Sequence, residues 1–197
     1  MRQIRMATLD DAGDVAEIYG AVVAGTPISF ELEPPGPGEM ARRMAAVLEL
    51  APWLVCEEDG RVDGYVYASR HHDRAAYRWS VDVTVYVRDG RRRGGLGRAL
   101  YTALLELLRA QGFHAAHAGI TLPNAGSVGL HEALGFRPIG VYPRVGWKMG
   151  AWHDVGYWQL ELRERTRAPG PILAVDALRR SPAWDRALAA GQVLLAR

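Results

Sequence analysis

Between Val81 and Gly112 the hydrophobic period changes once, and that change limits what the chain can fold into. Val81, Val83, Val85 and Val87 alternate with Asp82, Thr84 and Tyr86, the pattern of a strand with one apolar face. Leu96, Leu100, Leu104, Leu107 and Leu108 then recur at helical spacing up to Gly112. Between them lies Arg92-Arg93-Gly94-Gly95-Leu96-Gly97, short and glycine-rich, which reads as a tight strand-to-helix turn. A strand of this kind needs neighbours in a sheet, and the leucine stripe needs that sheet to lie on, so a layered domain follows.

The flanking segments supply the neighbours. Gln3 to Ala7 is a candidate first strand. Thr8, with Asp11 three residues on, starts a helix whose Val15, Ile18, Tyr19, Val22 and Val23 share a face. After the Pro34–Pro37 loop, Met40, Met44, Val47 and Leu48 predict a second helix, closed by Pro52. Trp53 to Glu57 and Arg61 to Ser69 read as strands of a hairpin turned by Asp59-Gly60. Tyr77 to Val87 is the long strand. Beyond Gly112 come a strand at Ala115–Thr121, a helix at Asn124–Leu134 stopped by Gly135, and strands at Phe136–Val141 and Trp152–Leu162. The expected fold class is a mixed α/β, or α+β layered, domain spanning residues 1–162. Residues 163–197 form a tail, with a linker at 168–171 and an amphipathic helix at Pro182–Leu195 that packs back or bridges to a partner.

The chain has 197 residues, 49% of them hydrophobic, enough for one full core and too many for a disordered or low-complexity chain. Its net charge is +2, but five arginines between Arg88 and Arg98, with Asp89 the only acid among them, carry +4 and leave −2 for the rest. The basicity is local, which speaks against a protein that coats nucleic acid; a module binding through these arginines would also need interleaved aromatic residues. Cys56 is the only cysteine, so no intrachain disulfide forms, and its apolar neighbours Trp53-Leu54-Val55 predict a buried thiol. No stretch has signal-peptide or membrane-span character, and a cytoplasmic protein is expected. His71 and His72 lack further ligands nearby in sequence, so no metal is expected.

Glycines admit backbone N–H groups close to a ligand, a helix N-terminus adds partial positive charge, and arginines supply forked donors. The Arg92–Gly97 turn therefore suits a pyrophosphate, although its spacing differs from a P-loop and from a dinucleotide fold. The segments Val85-Tyr86-Val87, Arg92-x-x-Gly95-x-Gly97, Asn124-Ala-Gly-Ser127 and His131-Glu-Ala-Leu-Gly135-Phe136, in this order, resemble the GNAT superfamily of N-acetyltransferases. Trp53-Leu-Val, Leu122-Pro-Asn124 and Trp152-His-Asp-Val-Gly156-x-Trp158-Gln-Leu160 narrow the resemblance. They look like the phosphinothricin acetyltransferase group, which includes L-amino-acid and methionine sulfone or sulfoximine N-acetyltransferases.

The resemblance covers residues 3 to 162. It implies a mixed central sheet, flanked by helices, whose fourth and fifth strands splay around the arm of acetyl-CoA, and a homodimer. It places the cofactor on Val85, Tyr86 and Val87, on the turn Arg92, Arg93, Gly94, Gly95, Gly97 and Arg98, and on Asn124 and Ser127. Asn124 serves equally well as a plain helix cap. Transfer to an amine needs a general base, because an ammonium has no lone pair. Asp82 stands where the group has Glu, one methylene shorter, although a mid-strand Asp can also simply anchor a loop or an arginine. His131 takes the place expected of a proton donor to the leaving thiolate, with packing as its other reading. Phe30 would wall the acceptor site, and Arg74 and Tyr77 would meet the acceptor's carboxylate or phosphinate. A protein or peptide amine is the alternative acceptor.

Overall fold

The computed structural model describes residues 2–92, 94–165 and 168–195. Its centre is a seven-stranded sheet in the order β1-β2-β3-β4-β5-β7-β6, with β1 Gln3–Met6, β2 Trp53–Glu58, β3 Arg61–Arg70, β4 Ser80–Val87, β5 Ala115–Leu122, β6 Arg137–Lys148 and β7 Ala151–Glu161. The expected first strand is present and pairs antiparallel with β2. Asp59 and Gly60 take φ of 52° and 79°, the left-handed pair that a two-residue hairpin requires, and they fix the β2–β3 register at Glu58↔Arg61. β4 is shorter than its sequence pattern, because Ala75–Tyr77 coils into a 3-10 turn. β6 is longer than expected: a turn at Met149 and Gly150 joins it to β7, so the two form one hairpin.

Two apolar clusters sandwich the sheet. On one face α3, Leu96–Gln111, lays its leucine stripe on Val81 and Val83. On the other, α1, Ala12–Gly25, and α2, Pro37–Leu50, cover Trp53, Val55 and Tyr65. The period change in the sequence thus becomes a layer change: valines face α3, whereas Asp82, Thr84 and Tyr86 face the opposite way. Cys56 is fully buried and burial pushes its thiol up to about 11, as a structural residue requires.

The C-terminal segment packs back. α5, Val175–Arg179, and α6, Pro182–Leu195, contribute Leu178, Trp184 and Ala187 to the same core as α3. α6 lies so close to α3 that a Cβ on Gly191 would stand 2.6 Å from the Ala99 carbonyl. Gln192 ties it to the sheet edge, accepting from the Ile4 N–H at 2.9 Å and donating to the Arg2 carbonyl at 2.6 Å. No helix among the described residues is long and apolar enough to cross a membrane.

Candidate active site

β4 and β5 run parallel and pair only over Ser80↔Ala115, Val81↔Ala116 and Asp82↔His117. Past that point β4 pairs only with β3, through Gly64↔Val87, and β5 only with β7. The sheet therefore forks immediately after Asp82 and His117. Along the fork the far edge of β4, residues 83–87, has no strand to bond to among the described residues, which is the opening an extended ligand could fill.

The fork opens into a cleft of about 460 Å³. Val85, Tyr86 and Val87 line it, as do Arg92, Gly95, Gly97, Arg98, Asn124 and Ser127. Gly94 does not, and Arg93 lies outside the described residues. Gly95 caps α3 in the left-handed region at φ 78°, which turns the first N–H groups of α3 toward the cleft. Gly97 keeps the wall open: a Cβ there would press on Leu130 at 3.2 Å and face Val85 and Val87 at 4.0 Å. On the other side α4, Ala125–Ala133, begins with Asn124, whose side-chain oxygen accepts from the Ser127 N–H at 3.1 Å. The cap reading of Asn124 is thus realised at a position that also lines the cleft. Arg91, Val22, Ile28 and Leu130 line it too and were not singled out in the sequence.

The arginine cluster is less free than its local charge suggests. Arg88 is bound to Asp14 at 2.9 Å and Glu17 at 2.6 Å, Arg91 to Asp63 at 3.2 Å and Glu58 at 3.3 Å, and Arg92 to Asp89 at 3.0 Å. Acids from three other elements offset Arg88 and Arg91, and sequence distance hid them. Arg98 is exposed, lines the cleft and forms no ion pair among the described residues.

At the base of the fork the structure gathers side chains from three strands or their ends. Asp82 is 43% exposed, and its Oδ1 lies 2.7 Å from Nδ1 of His71, the residue that follows β3. The His71 ring stacks on His117 with centroids 4.2 Å apart and planes 14° off parallel. His72 and Tyr77 pack edge-on at 4.7 Å, and both rings border His71. Tyr77 thus joins the Asp82 cluster, whereas Arg74 stays exposed on the same loop, without an ion pair among the described residues. Burial, followed by the nearby His71, holds the His117 imidazole below its usual range. Donor atoms of His71, Asp82 and His117 lie within 4.8 Å of one another. The ring stack and the Asp82–His71 bond together hold the three side chains in one group. His117 had a signal in the sequence, a polar residue inside the apolar run of β5.

His131 has a different setting from the one expected of a proton donor to the cleft. It is 3% exposed, and both ring nitrogens are engaged inside the protein. Nδ1 lies 2.8 Å from the Ser127 carbonyl, which can only accept, so Nδ1 carries the proton and Nε2 accepts from the Tyr101 hydroxyl at 3.0 Å. Burial holds the His131 imidazole below its usual range and lifts the Tyr101 hydroxyl far above its ordinary one.

Phe30 sits on the loop between α1 and α2, over Gly146 of β6 and 6.3 Å from the His153 ring. That loop is held on three sides. Lys148, the chain's only lysine, is buried and donates to the Val23 and Ser29 carbonyls at 2.6 and 2.7 Å. Thr121 donates to the Ile28 carbonyl at 3.0 Å, and Glu31 accepts from the Tyr19 hydroxyl at 2.8 Å and from Arg43 at 2.7 Å.

Comparison with known proteins agrees with this arrangement. A family profile described as acetyltransferase (GNAT) domain matches residues 4–156. The phosphinothricin N-acetyltransferase of Streptomyces viridochromogenes is 42% identical over 176 residues, which is 89% of this chain and 96% of that one. The L-methionine sulfoximine/L-methionine sulfone acetyltransferase of Pseudomonas paraeruginosa is 37% identical over 171 residues, 84% of this chain and 98% of that one. Among solved structures, a phosphinothricin acetyltransferase from Sinorhizobium meliloti in complex with acetyl-CoA superposes with a TM-score of 0.84 at 34% identity, covering 91% of this chain and 99% of that one. A forked mixed sheet with a glycine turn at its mouth, matched by sequence along most of its length, makes this chain a member of the GNAT acetyltransferase family.

Proposed function

We propose that the protein moves the acetyl group of acetyl-CoA onto the primary amine of a small amino-acid-like acceptor of the phosphinothricin, methionine sulfone and methionine sulfoximine kind. The observation that carries it is the fork: β4 and β5 part beside Asp82, and the opening leads to an arginine-rimmed helix N-terminus. The GNAT relatives named for such amino acids support the acceptor class.

Acetyl-CoA supplies an acetyl group activated as a thioester, carried on an extended arm and a pyrophosphate. The free edge of β4 at Val85–Val87 bonds the arm. The N–H groups at the start of α3, with Arg91, Arg92 and Arg98 around them, hold the pyrophosphate. Asn124 and Ser127 close the other wall. Asp82 anchors the basic centre that frees the amine's lone pair. A backbone N–H near Val85 faces the charge that develops on the carbonyl oxygen. The engagement of both His131 nitrogens supports a positioning role: it fixes Ser127 and Tyr101 beside the cleft.

The pinned Phe30 loop favours a small acceptor over a peptide, with Tyr77 and Arg74 as contacts for its acidic group. Second copies would pair through the β6–β7 hairpin, where Val141, Tyr142, Val145, Trp147 and Trp152 are all at least half exposed; sedimentation of the free protein reads this directly. Thiol release from acetyl-CoA is the test, with a panel of phosphinothricin, methionine sulfone, methionine sulfoximine and ordinary amino acids. Turnover of peptide N-termini and of no small amine would replace the proposed acceptor class.

A further inference from the structure

We propose that His71 and Asp82 act as a dyad, in which the imidazole of His71 takes the proton from the acceptor amine and Asp82 orients and charges it. The assignment deepens the acetyl-transfer function proposed above and rests on it.

Three features of the fork point to His71. The first is the bond itself. Asp82 Oδ1 and His71 Nδ1 are 2.7 Å apart, and a carboxylate accepts, so Nδ1 carries the proton and Nε2 keeps its lone pair. Nε2 has no hydrogen-bond partner among the described residues, and the side chain is 21% exposed, so this nitrogen is available to a ligand. The same arrangement, a carboxylate fixing the tautomer of an imidazole whose far nitrogen does the work, underlies base catalysis on unrelated folds.

The second feature is place. The Ser69↔Asp82 pair of β3 and β4 and the Asp82↔His117 pair of β4 and β5 put Asp82 on the last rung before the strands part. His71 begins two residues past that rung. The dyad therefore stands at the base of the opening proposed to hold the thioester.

The third is surroundings. His117 lies under the His71 ring, and His72 and Tyr77 border it from its own loop; among the described residues Asp82 is the acid bonded to it. His117 packs its ring face against His71 at 4.2 Å, burial disfavours a second charge there, and Asp82 stabilises the imidazolium that forms. An imidazole is also better matched than a carboxylate to deprotonating an ammonium near neutral pH, where a base works best if its proton affinity lies close to the solution's.

The step balances. The ammonium gives one proton to His71 Nε2, its freed lone pair forms the C–N bond to the carbonyl carbon, and the further proton left on nitrogen in the tetrahedral intermediate departs to solvent as the intermediate collapses. The C–S bond breaks with its electron pair on sulfur, and the proton held by His71 returns to the thiolate directly or through water. Nothing is oxidised or reduced.

The test compares His71→Asn, which keeps a donor for Asp82 but cannot accept a proton, with His71→Ala and Asp82→Asn. Against the best small amine of the panel, kcat should fall 100-fold or more in each, within the range known for general-base loss. Acetyl-CoA affinity by calorimetry should stay within twofold. Exogenous imidazoles should restore part of the His71→Ala rate, more for the more basic derivatives. In the free protein, proton NMR should show a strongly downfield Nδ1 resonance that is absent in both His71→Asn and Asp82→Asn. Full activity in His71→Asn with loss in Asp82→Asn would overturn the dyad and leave the acetyl-transfer function intact. Absence of thiol release with every small amine would remove both. A stoichiometric zinc complex requiring His71, Asp82 and His117 together would also overturn the dyad by making the trio a metal centre.

Discussion

Lys148 Nζ donates to the Ser29 carbonyl oxygen at 2.7 Å across 119 residues of sequence, and it is 6% exposed. The buried ammonium joins the β6–β7 hairpin to the loop that carries Phe30, with the Val23 carbonyl as its second acceptor. Lys148→Met leaves both carbonyls without this donor. Stability should fall by about 2–6 kcal/mol, since each of the two buried groups left unsatisfied costs about 1–3 kcal/mol. The KM for the amine should rise while acetyl-CoA affinity holds. Urea denaturation and steady-state kinetics check both.

Gly146 is the floor under Phe30. A Cβ there would come within 2.1 Å of the Phe30 ring, whose far edge is the part that must move. Because that side chain is 37% exposed, it can swing outward. Gly146→Ala should therefore change stability by less than about 1 kcal/mol but raise the amine KM severalfold. Phe30→Ala should have a similar effect on KM, and the double variant should be no worse than either alone.

Salt should separate the arginines. Arg98 lines the cleft without an ion pair among the described residues, so Arg98→Ala should weaken acetyl-CoA binding and flatten its dependence on ionic strength. Arg88 is committed to Asp14 and Glu17, so Arg88→Ala should lower stability and leave that dependence unchanged. Calorimetric titrations at low and high salt distinguish the two.

The lowered proton affinity of buried His131 makes stability depend on pH with a definite sign. Its folded pKa lies below the usual value of about 6.5, so the unfolded chain binds the proton more readily. Stability is full above that value and falls as pH drops from it toward the depressed folded pKa, by at most about 1.4 kcal/mol per pH unit for this one group. His117, shifted the same way, adds to the slope. His131→Gln still offers Tyr101 an acceptor and should show a shallower fall between pH 7 and 5.5 in urea unfolding.

Gly191 sets the approach of α6 to α3. Gly191→Val would drive side-chain atoms into the Ala99 carbonyl, a backbone group that cannot step aside, and into Ala103 and Ile4. A loss of about 1–3 kcal/mol is expected from such overpacking. Thermal unfolding measures it, and Gly170→Val, in open space on the segment leading to α5, serves as the control.

The sequence by itself determined the elements and much of the lining of the cleft. The valine alternation, the Asp59-Gly60 turn, the Gly95 and Gly97 positions and the Asn124 cap are written in consecutive residues, because they express backbone preferences that a few neighbours decide. Val85, Tyr86, Val87, Arg92, Gly95, Gly97, Arg98, Asn124 and Ser127, which line the cleft, were legible for the same reason. Only the tertiary structure decided what stands against what. Strand register brings His71 and His117 to Asp82; remote acids cancel Arg88 and Arg91; Lys148 reaches the Phe30 loop; Tyr101 claims His131 for the interior. Such pairings depend on which rung of the sheet each residue occupies and on which helix covers it, and no short stretch of sequence encodes a distance between two of its distant parts.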